Sequence, residues 1–207
     1  MENEMNSTVR PLRIGDLAPD FQARSTTGDF RLSSLRGQWV IFFSHPADFT
    51  PVCSTEFAEL ARRQSAFNAL GCQLVGLSVD SLYSHLAWVR ALRELFEVEI
   101  GFPIIEDPSM VIGRAYGMID EAAADSMTMR TTFFIDPDGI VRATTSYPHN
   151  VGRSVDEMLR LLRALQRVDG ADMLTPEGWD EGKPLLLPAG GCADEAPDWF
   201  CRLEKHP

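Results

Sequence analysis

Cys53 stands where a cysteine can react. The run Thr50-Pro51-Val52-Cys53 reads as the start of a helix. Threonine suits the N-cap, and a residue before proline is pushed out of the helical region. Proline at the first helical position sacrifices no hydrogen bond. Cys53 then becomes the third helical residue. There the unpaired backbone N–H groups and the positive end of the helix dipole favour a thiolate, the nucleophilic form of the side chain. The Thr50 hydroxyl lies one turn back, within reach of the same place. Pro46 and Pro51 stiffen the loop and would shield it from water. A plainer reading is that Cys53 only packs at a helix start, since cysteine is among the most buried residue types. Spacing alone leaves both readings open.

The other thiols are Cys72, Cys192 and Cys201. Four cysteines in 207 residues are too few for a disulfide scaffold. No C-x-x-C occurs, which argues against a zinc ribbon and a thioredoxin-type dithiol. Cys192, Cys201 and His206 fit no common zinc spacing and lack a fourth ligand. Cys72, just before the apolar run Leu74 to Val79, reads as an inert buried thiol. Taken alone, Arg130 reads as a solvated charge at a strand start and His45 as a loop residue after a strand. Glu56 reads equally as a solvated helix position or as an organiser of the Cys53 site.

The elements that must position these residues alternate. Apolar runs at 39–43, 74–79 and 102–105 read as strands, the last edge-like because of Pro103. Helices are expected from about Pro51 to Leu70, stopped by Gly71, and after Asp80-Ser81. The second carries Leu82, Leu86, Val89, Leu92 and Phe96 as its apolar stripe. A short helix runs from about Met110 to Tyr116. Strands at 131–135 and 140–144 flank the turn Asp136-Pro137-Asp138-Gly139. The last helix opens at Ser154, with Glu157 completing a capping box. Leu159, Leu162 and Leu165 should face inward, and Arg160, Arg163 and Arg167 suit the negative end of the dipole. This order implies an α/β fold with a mainly parallel sheet and an antiparallel part. Past about residue 167 the chain turns rich in proline and glycine. It divides into a domain at 1–167 and an arm at 168–207, and an arm of roughly 40 residues is too short to build a core without help.

Composition excludes other classes. Apolar residues make up 44% and charged residues 24%, as in ordinary globular chains, which excludes collagen, coiled coil and wholesale disorder. The net charge of −11 disfavours nucleic acid and anionic membranes as partners. No apolar stretch is long enough for a membrane helix, and Met1 to Thr8 has neither the basic start nor the apolar core of a secretory signal. A cytoplasmic location is expected.

The segment His45-Pro46-Ala47-Asp48-Phe49-Thr50-Pro51-Val52-Cys53-Ser54-Thr55-Glu56 resembles the peroxiredoxins. It contains their P-x-x-x-T-x-x-C signature, and its flanks are similar to the 1-Cys-like subfamily. Leu77 to Ser81, Ser84 to Trp88 and Met129 to Asp136 are similar to that subfamily too, and the likeness spans roughly residues 11 to 185. The resemblance implies a thioredoxin-like fold and a thiol-dependent peroxidase acting on hydrogen peroxide and organic hydroperoxides. It implies that Cys53 is the peroxidatic cysteine, whose thiolate becomes a sulfenic acid. Arg130 matches the arginine that would donate to the sulfur and the peroxide, Thr50 the residue that orients the peroxide, and Pro46 the shielding proline. His45 matches a subfamily histidine near the sulfur.

Trp199-Phe200-Cys201 resembles members with two C-terminal cysteines, which implies that Cys201 resolves the sulfenic acid as a disulfide. Here Cys192 and Cys201 stand further apart than in those relatives. A second disulfide with Cys201, a backup thiol or no role all stay open for Cys192. The family further implies a thioredoxin-like or other thiol reductant and at least a homodimer, with a decamer as the larger alternative. Trp179, Trp199 and Phe200 are the candidate interface anchors. No cofactor and no metal are expected.

Overall fold

The structure is a computed structural model and describes residues 12–119, 126–189 and 200–204. The chain falls into two compact units, Met1–Arg153 and Ser154–Pro207.

The first unit is built on seven strands: β1 Gln22–Ser25, β2 Gly28–Arg31, β3 Trp39–Ser44, β4 Cys72–Ser78, β5 Ile104–Glu106, β6 Arg130–Ile135 and β7 Val141–Tyr147. They form one sheet in the order β2-β1-β5-β4-β3-β6-β7. The pairs β3–β4 and β4–β5 are parallel, and those of β1, β2, β6 and β7 are antiparallel. The expectation of a mainly parallel sheet is corrected: two of these pairings are parallel and four antiparallel, because the short turns after β1 and β6 fold the chain straight back into hairpins. Strand β3 lies inside the sheet between β4 and β6 and is buried at every position, which explains its unbroken apolar run.

The expectation that residues 102–105 form an edge is corrected. Pro103 stands just before β5, and β5 lies inside the sheet, with β1 touching it at Ser25 opposite Ile105. A proline ahead of the first ladder residue removes no strand donor.

Helix α1 runs Pro51–Ala69 and α2 runs Leu82–Phe96. Gly71, at φ +61°, adopts the left-handed backbone that ends α1. Both helices share an aromatic cluster with the sheet: Phe57 of α1 lies 5.5 Å from Phe43 and 4.7 Å from Trp88 of α2. Gly76 on β4 has no side chain because a Cβ there would stand 3.2 Å from the Phe57 ring. A second cluster joins Phe42, Phe133 and Tyr116, the last just after α3, Val111–Ala115.

The buried stripe of α2 is His85, Trp88 and Leu92, whereas Leu86 is exposed. The inward face is rotated from the expected leucine stripe because His85 finds buried hydrogen-bond partners.

The second unit opens with α4, Val155–Val168. Leu159 and Leu162 are buried and Leu165 is half-buried. Ser154 accepts from the Glu157 N–H at 3.2 Å, but the Glu157 carboxylate pairs with Arg160 instead of reaching back. Half of the capping box therefore forms. Of the three arginines expected at the dipole's negative end, Arg167 alone lies in the last turn. Among the described residues after α4, antiparallel bridges join Leu174 to Leu186 and Leu186 to Leu203. Trp179 packs with Leu185, Met173 and Ala164 of α4, and its Nε1 donates to the Lys183 carbonyl at 2.9 Å. The short arm thus gains its core by borrowing a helix, and Trp179 is spent inside its own unit rather than offered as an anchor. Phe200 is exposed, and Trp199 lies outside the described residues.

Candidate active site

Cys53 is the third residue of α1, as the spacing predicts, and its side chain is fully buried. The guanidinium of Arg130, at the start of β6, donates through Nη1 to Cys53 Sγ at 3.3 Å. The same nitrogen donates to Glu56 Oε2 at 2.8 Å. Nε and Nη2 of Arg130 both donate to the His149 carbonyl, at 3.0 and 2.8 Å. Each of its three nitrogens is anchored, which restrains the guanidinium beside the sulfur. Arg130 is 2% exposed, so the solvated reading of this residue is corrected. It is charged and buried because a carboxylate and a carbonyl replace its water.

Glu56 holds two cations. Arg153 donates from its backbone N–H to Oε1 at 2.7 Å, from Nε to Oε1 at 3.0 Å and from Nη2 to Oε2 at 2.8 Å. Burial raises the Glu56 pKa, but the Arg153 bonds and charge, with Arg130, outweigh it and hold the carboxyl below its usual range. Glu56 is one helical turn beyond Cys53, so a single face of α1 presents the sulfur and the carboxylate together. Arg153 is a site residue that the sequence does not single out. It adds a bond to Thr132 Oγ1 at 3.1 Å and lies 5.1 Å from the Phe43 ring. Nothing local marks it, since its partners lie far back in the chain.

Thr50 is the N-cap of α1 by backbone, but its side chain makes no cap bond. Its hydroxyl donates to the Ala47 carbonyl at 2.8 Å. With its hydrogen committed, Oγ1 presents only lone pairs and can accept from an incoming O–H. Pro46 is buried at the start of this loop. Phe49 sits at φ +56° with its ring exposed, a backbone that costs a non-glycine residue about 1 kcal/mol or more.

His45 follows β3 directly, as the sequence suggests, and is wholly buried, stacking on Trp88 at 5.1 Å. Its Nε2 lies 2.9 Å from Asp48 Oδ1, and His85 Nδ1 lies 2.8 Å from Asp48 Oδ2. Burial raises the Asp48 pKa, yet the bonds from His45 and His85 prevail and hold the carboxyl low. Burial pushes the His45 pKa down against the pull of Asp48. By residue type, His45, Asp48 and His85 could ligate a cation. Their geometry is instead a hydrogen-bonded triad, with both Asp48 oxygens occupied by the two rings.

Cys72 is buried at the start of β4, and burial pushes its thiol up to about 12. Cys201 is exposed in the second unit. Cys192 lies outside the described residues. The described part of the chain thus brings together Cys53, Arg130 and Glu56, with Thr50 and Pro46 on the adjoining loop. No described helix is long and apolar enough to cross a membrane.

Residues 14–144 match the AhpC/TSA family. Peroxiredoxin 2 of Thermoplasma acidophilum is 47% identical over 201 residues, 93% of this chain and 100% of the relative. The peroxiredoxin of Thermoplasma volcanium is 42% identical over 186 residues, 90% of this chain and 91% of the relative. Among solved structures, a yeast mitochondrial 1-Cys peroxiredoxin superposes with a TM-score of 0.81 at 36% identity, over 91% of this chain and 92% of the other. A peroxiredoxin 6 of Arenicola marina, solved as a cysteine-to-serine mutant, gives 0.81 at 32% identity, over 91% and 89%. The fold is therefore thioredoxin-like. The chain belongs to the peroxiredoxin family, thiol-dependent peroxidases that use peroxide substrates and thiol reductants.

Proposed function

We propose that Cys53 is the peroxidatic cysteine and that Arg130 and Thr50 hold the peroxide against it. The observation that carries this is the charged N–H of Arg130 placed 3.3 Å from Cys53 Sγ. The thiolate attacks the terminal oxygen of hydrogen peroxide or an organic hydroperoxide. The oxygen–oxygen bond breaks, sulfur gains the hydroxyl, and water or an alcohol leaves after taking a proton. Negative charge builds on the departing oxygen, and a fixed guanidinium beside it stabilises that transition state. Thr50 Oγ1 accepts the peroxide O–H and aims the terminal oxygen at sulfur. Pro46 excludes water from the loop, and His45 lines the peroxide side of the site.

Cys201 then resolves the sulfenic acid. Its thiolate attacks the Cys53 sulfur, forms a disulfide and releases hydroxide, which is protonated to water. Cys53 is fully buried, and a disulfide needs Cα atoms about 5–6 Å apart. The first turn of α1 must therefore open, breaking the bonds from the Ser54 N–H and hydroxyl to the Thr50 carbonyl. A thioredoxin-like protein or another thiol regenerates the enzyme. The exposed Phe200 ring beside Cys201 supports an arm that contacts a second copy, in a homodimer or a larger ring. Residues 168–207 are taken as this resolving arm, and the compartment as the cytoplasm. Cys192 is assigned no step.

Non-reducing electrophoresis with intact mass tests this reading. It compares wild type with Cys53→Ser, Cys192→Ser and Cys201→Ser after one equivalent of hydrogen peroxide. A dimer-sized band that needs both Cys53 and Cys201 is the expected result. A monomer gaining only oxygen on Cys53 would remove Cys201 from the mechanism. Undiminished peroxide consumption by Cys53→Ser would overturn the assignment of Cys53 itself.

A further inference from the structure

The triad around Asp48 has a proton inventory that its geometry restricts. The Asp48 carboxylate is buried and accepts on both oxygens, one from each ring. An ionised carboxylate cannot donate, so His45 Nε2 and His85 Nδ1 must each carry a hydrogen. His85 Nε2 faces the Ile105 carbonyl at 3.2 Å, another group that only accepts. His85 therefore needs a hydrogen on both nitrogens. His45 is different: its Nδ1 is buried and meets no partner among the described residues. A proton there would be a buried charge with no acceptor.

We propose that His85 is a positioning residue for the active-site loop: it is held as an imidazolium between Asp48 and the Ile105 carbonyl, opposite a neutral His45 with Nδ1 bare. Asp48 then faces one positive ring and one neutral ring, and the charges within the triad balance. The low-lying Asp48 carboxyl and the neutral-favouring burial of His45 agree with this distribution, and the charge of His85 itself opposes a positive His45.

The groups around the triad are fixed by bonds of their own. From the turn after β4, Asp80 Oδ2 accepts the Asp48 N–H at 3.0 Å and the Ser78 hydroxyl at 2.7 Å. From β5, Glu106 accepts the Leu82 N–H at 2.8 Å and pairs with Arg24. From α1 and α2, Phe57 and Trp88 pack uncharged rings on His45. Asp48 is also the residue before Phe49, whose backbone is held at positive φ. The triad thus ties the strained loop between Pro46 and Thr50 to α2 and β5. The hydrogen bonds of His85 go to Asp48 and Ile105 rather than to Cys53 or Arg130, and its influence passes through Asp48.

This rests on the reading of Cys53 as the reacting thiol for its kinetic effect only; the protonation pattern stands apart from it. The test is NMR of the full reduced chain with labelled histidine nitrogens, at about pH 6 to 8, assigned with single His→Gln variants. His85 should show two protonated nitrogens, and His45 a protonated Nε2 with a bare Nδ1. One bare nitrogen on His85, or a protonated Nδ1 on His45, would overturn the proposal.

His85→Asn keeps a donor toward Asp48 but carries no charge. In it, His45 should remain protonated on Nε2 alone, because a proton on Nδ1 would still be a buried charge without an acceptor among the described residues. The rate of Cys53 oxidation by hydrogen peroxide should fall by up to about 10²-fold, the cost of a displaced loop. An unchanged oxidation rate in a folded His85→Asn would also overturn the proposal. If that variant does not fold, the wild-type spectrum decides. Failure of the Cys53 reading appears separately, as peroxidase activity surviving in Cys53→Ser, with the histidine spectrum unaffected.

Discussion

Cys53 and Cys72 are both fully buried, and both open a regular element, one α1 and the other β4. Their surroundings differ in charge. Cys72 meets backbone groups, the Gln73 carbonyl at 3.8 Å and a bond from Ile41 that lowers its pKa, yet burial prevails and pushes its thiol up to about 12. Cys53 accepts a charged N–H from Arg130, which is fixed by Glu56 and the His149 carbonyl. Burial alone makes a cysteine inert, because desolvation disfavours the thiolate. Beside Cys53 stands a restrained cation, and beside Cys72 no such group is found among the described residues. The difference is produced by a few side chains around one sulfur.

Removing the cation is the most severe way to break this contrast. Arg130→Gln should lower the second-order rate with hydrogen peroxide by on the order of 10²–10³-fold, the usual cost of losing a transition-state donor. Stopped-flow fluorescence or competition kinetics reads this. A loss of less than about threefold would mean that the guanidinium does not serve the reaction.

Glu56→Gln attacks the restraint instead. It leaves two buried guanidiniums, Arg130 and Arg153, without their shared anion. Breaking a buried ion pair by removing one partner costs about 3–5 kcal/mol. Urea unfolding should show that loss as a lower midpoint, and the peroxide rate should fall less than in Arg130→Gln.

Acid should weaken the same surroundings in two stages. His45 is held neutral in the fold, so its contribution is complete above its unfolded value of about 6.5. It is lost as pH falls toward the lowered folded value. Asp48 and Glu56 also have lowered folded values. Their contribution is complete above the ordinary carboxylate range of about 4 and drains as pH falls below it. Thermal melts should therefore decline gently below about pH 6.5 and steeply below about pH 4.5. Asp48→Asn should flatten the steep limb.

The smallest effect sharpens the comparison from the other side. Cys72→Ala should leave the peroxide rate unchanged and cost about 1 kcal/mol of stability, the size of an ordinary buried truncation. Alkylation of the native protein at neutral pH should spare Cys72. Early labelling of Cys72 would remove the distinction between the two thiols.

Much of the scaffold is legible in the sequence because its signals are local. Thr50-Pro51 marks the start of α1, and Gly71 its end. The turn at Asp136 to Gly139 marks the hairpin of β6 and β7. The P-x-x-x-T-x-x-C run is likewise contiguous, so adjacent residues are enough to reveal it. The misreadings have the opposite character. Pro103 suggests an edge, but neighbours in a sheet are set by pairing across the chain, and β1 lies beyond β5. Leucines suggest the buried face of α2, but His85 turns inward because Asp48 meets it from another element.

The sequence by itself determined that Cys53 sits at a helix start, that strands and helices alternate, and that the chain resembles a peroxidase family. These follow from adjacent residues and their backbone preferences. Only the tertiary structure decided that Arg130 is buried against that sulfur, that Arg153 shares Glu56, and that His45 and His85 divide one carboxylate. The reason is that a charge acquires its partner through space: Cys53 and Arg130 are 77 positions apart, and no periodicity records which distant residues the folded sheet brings within a hydrogen bond.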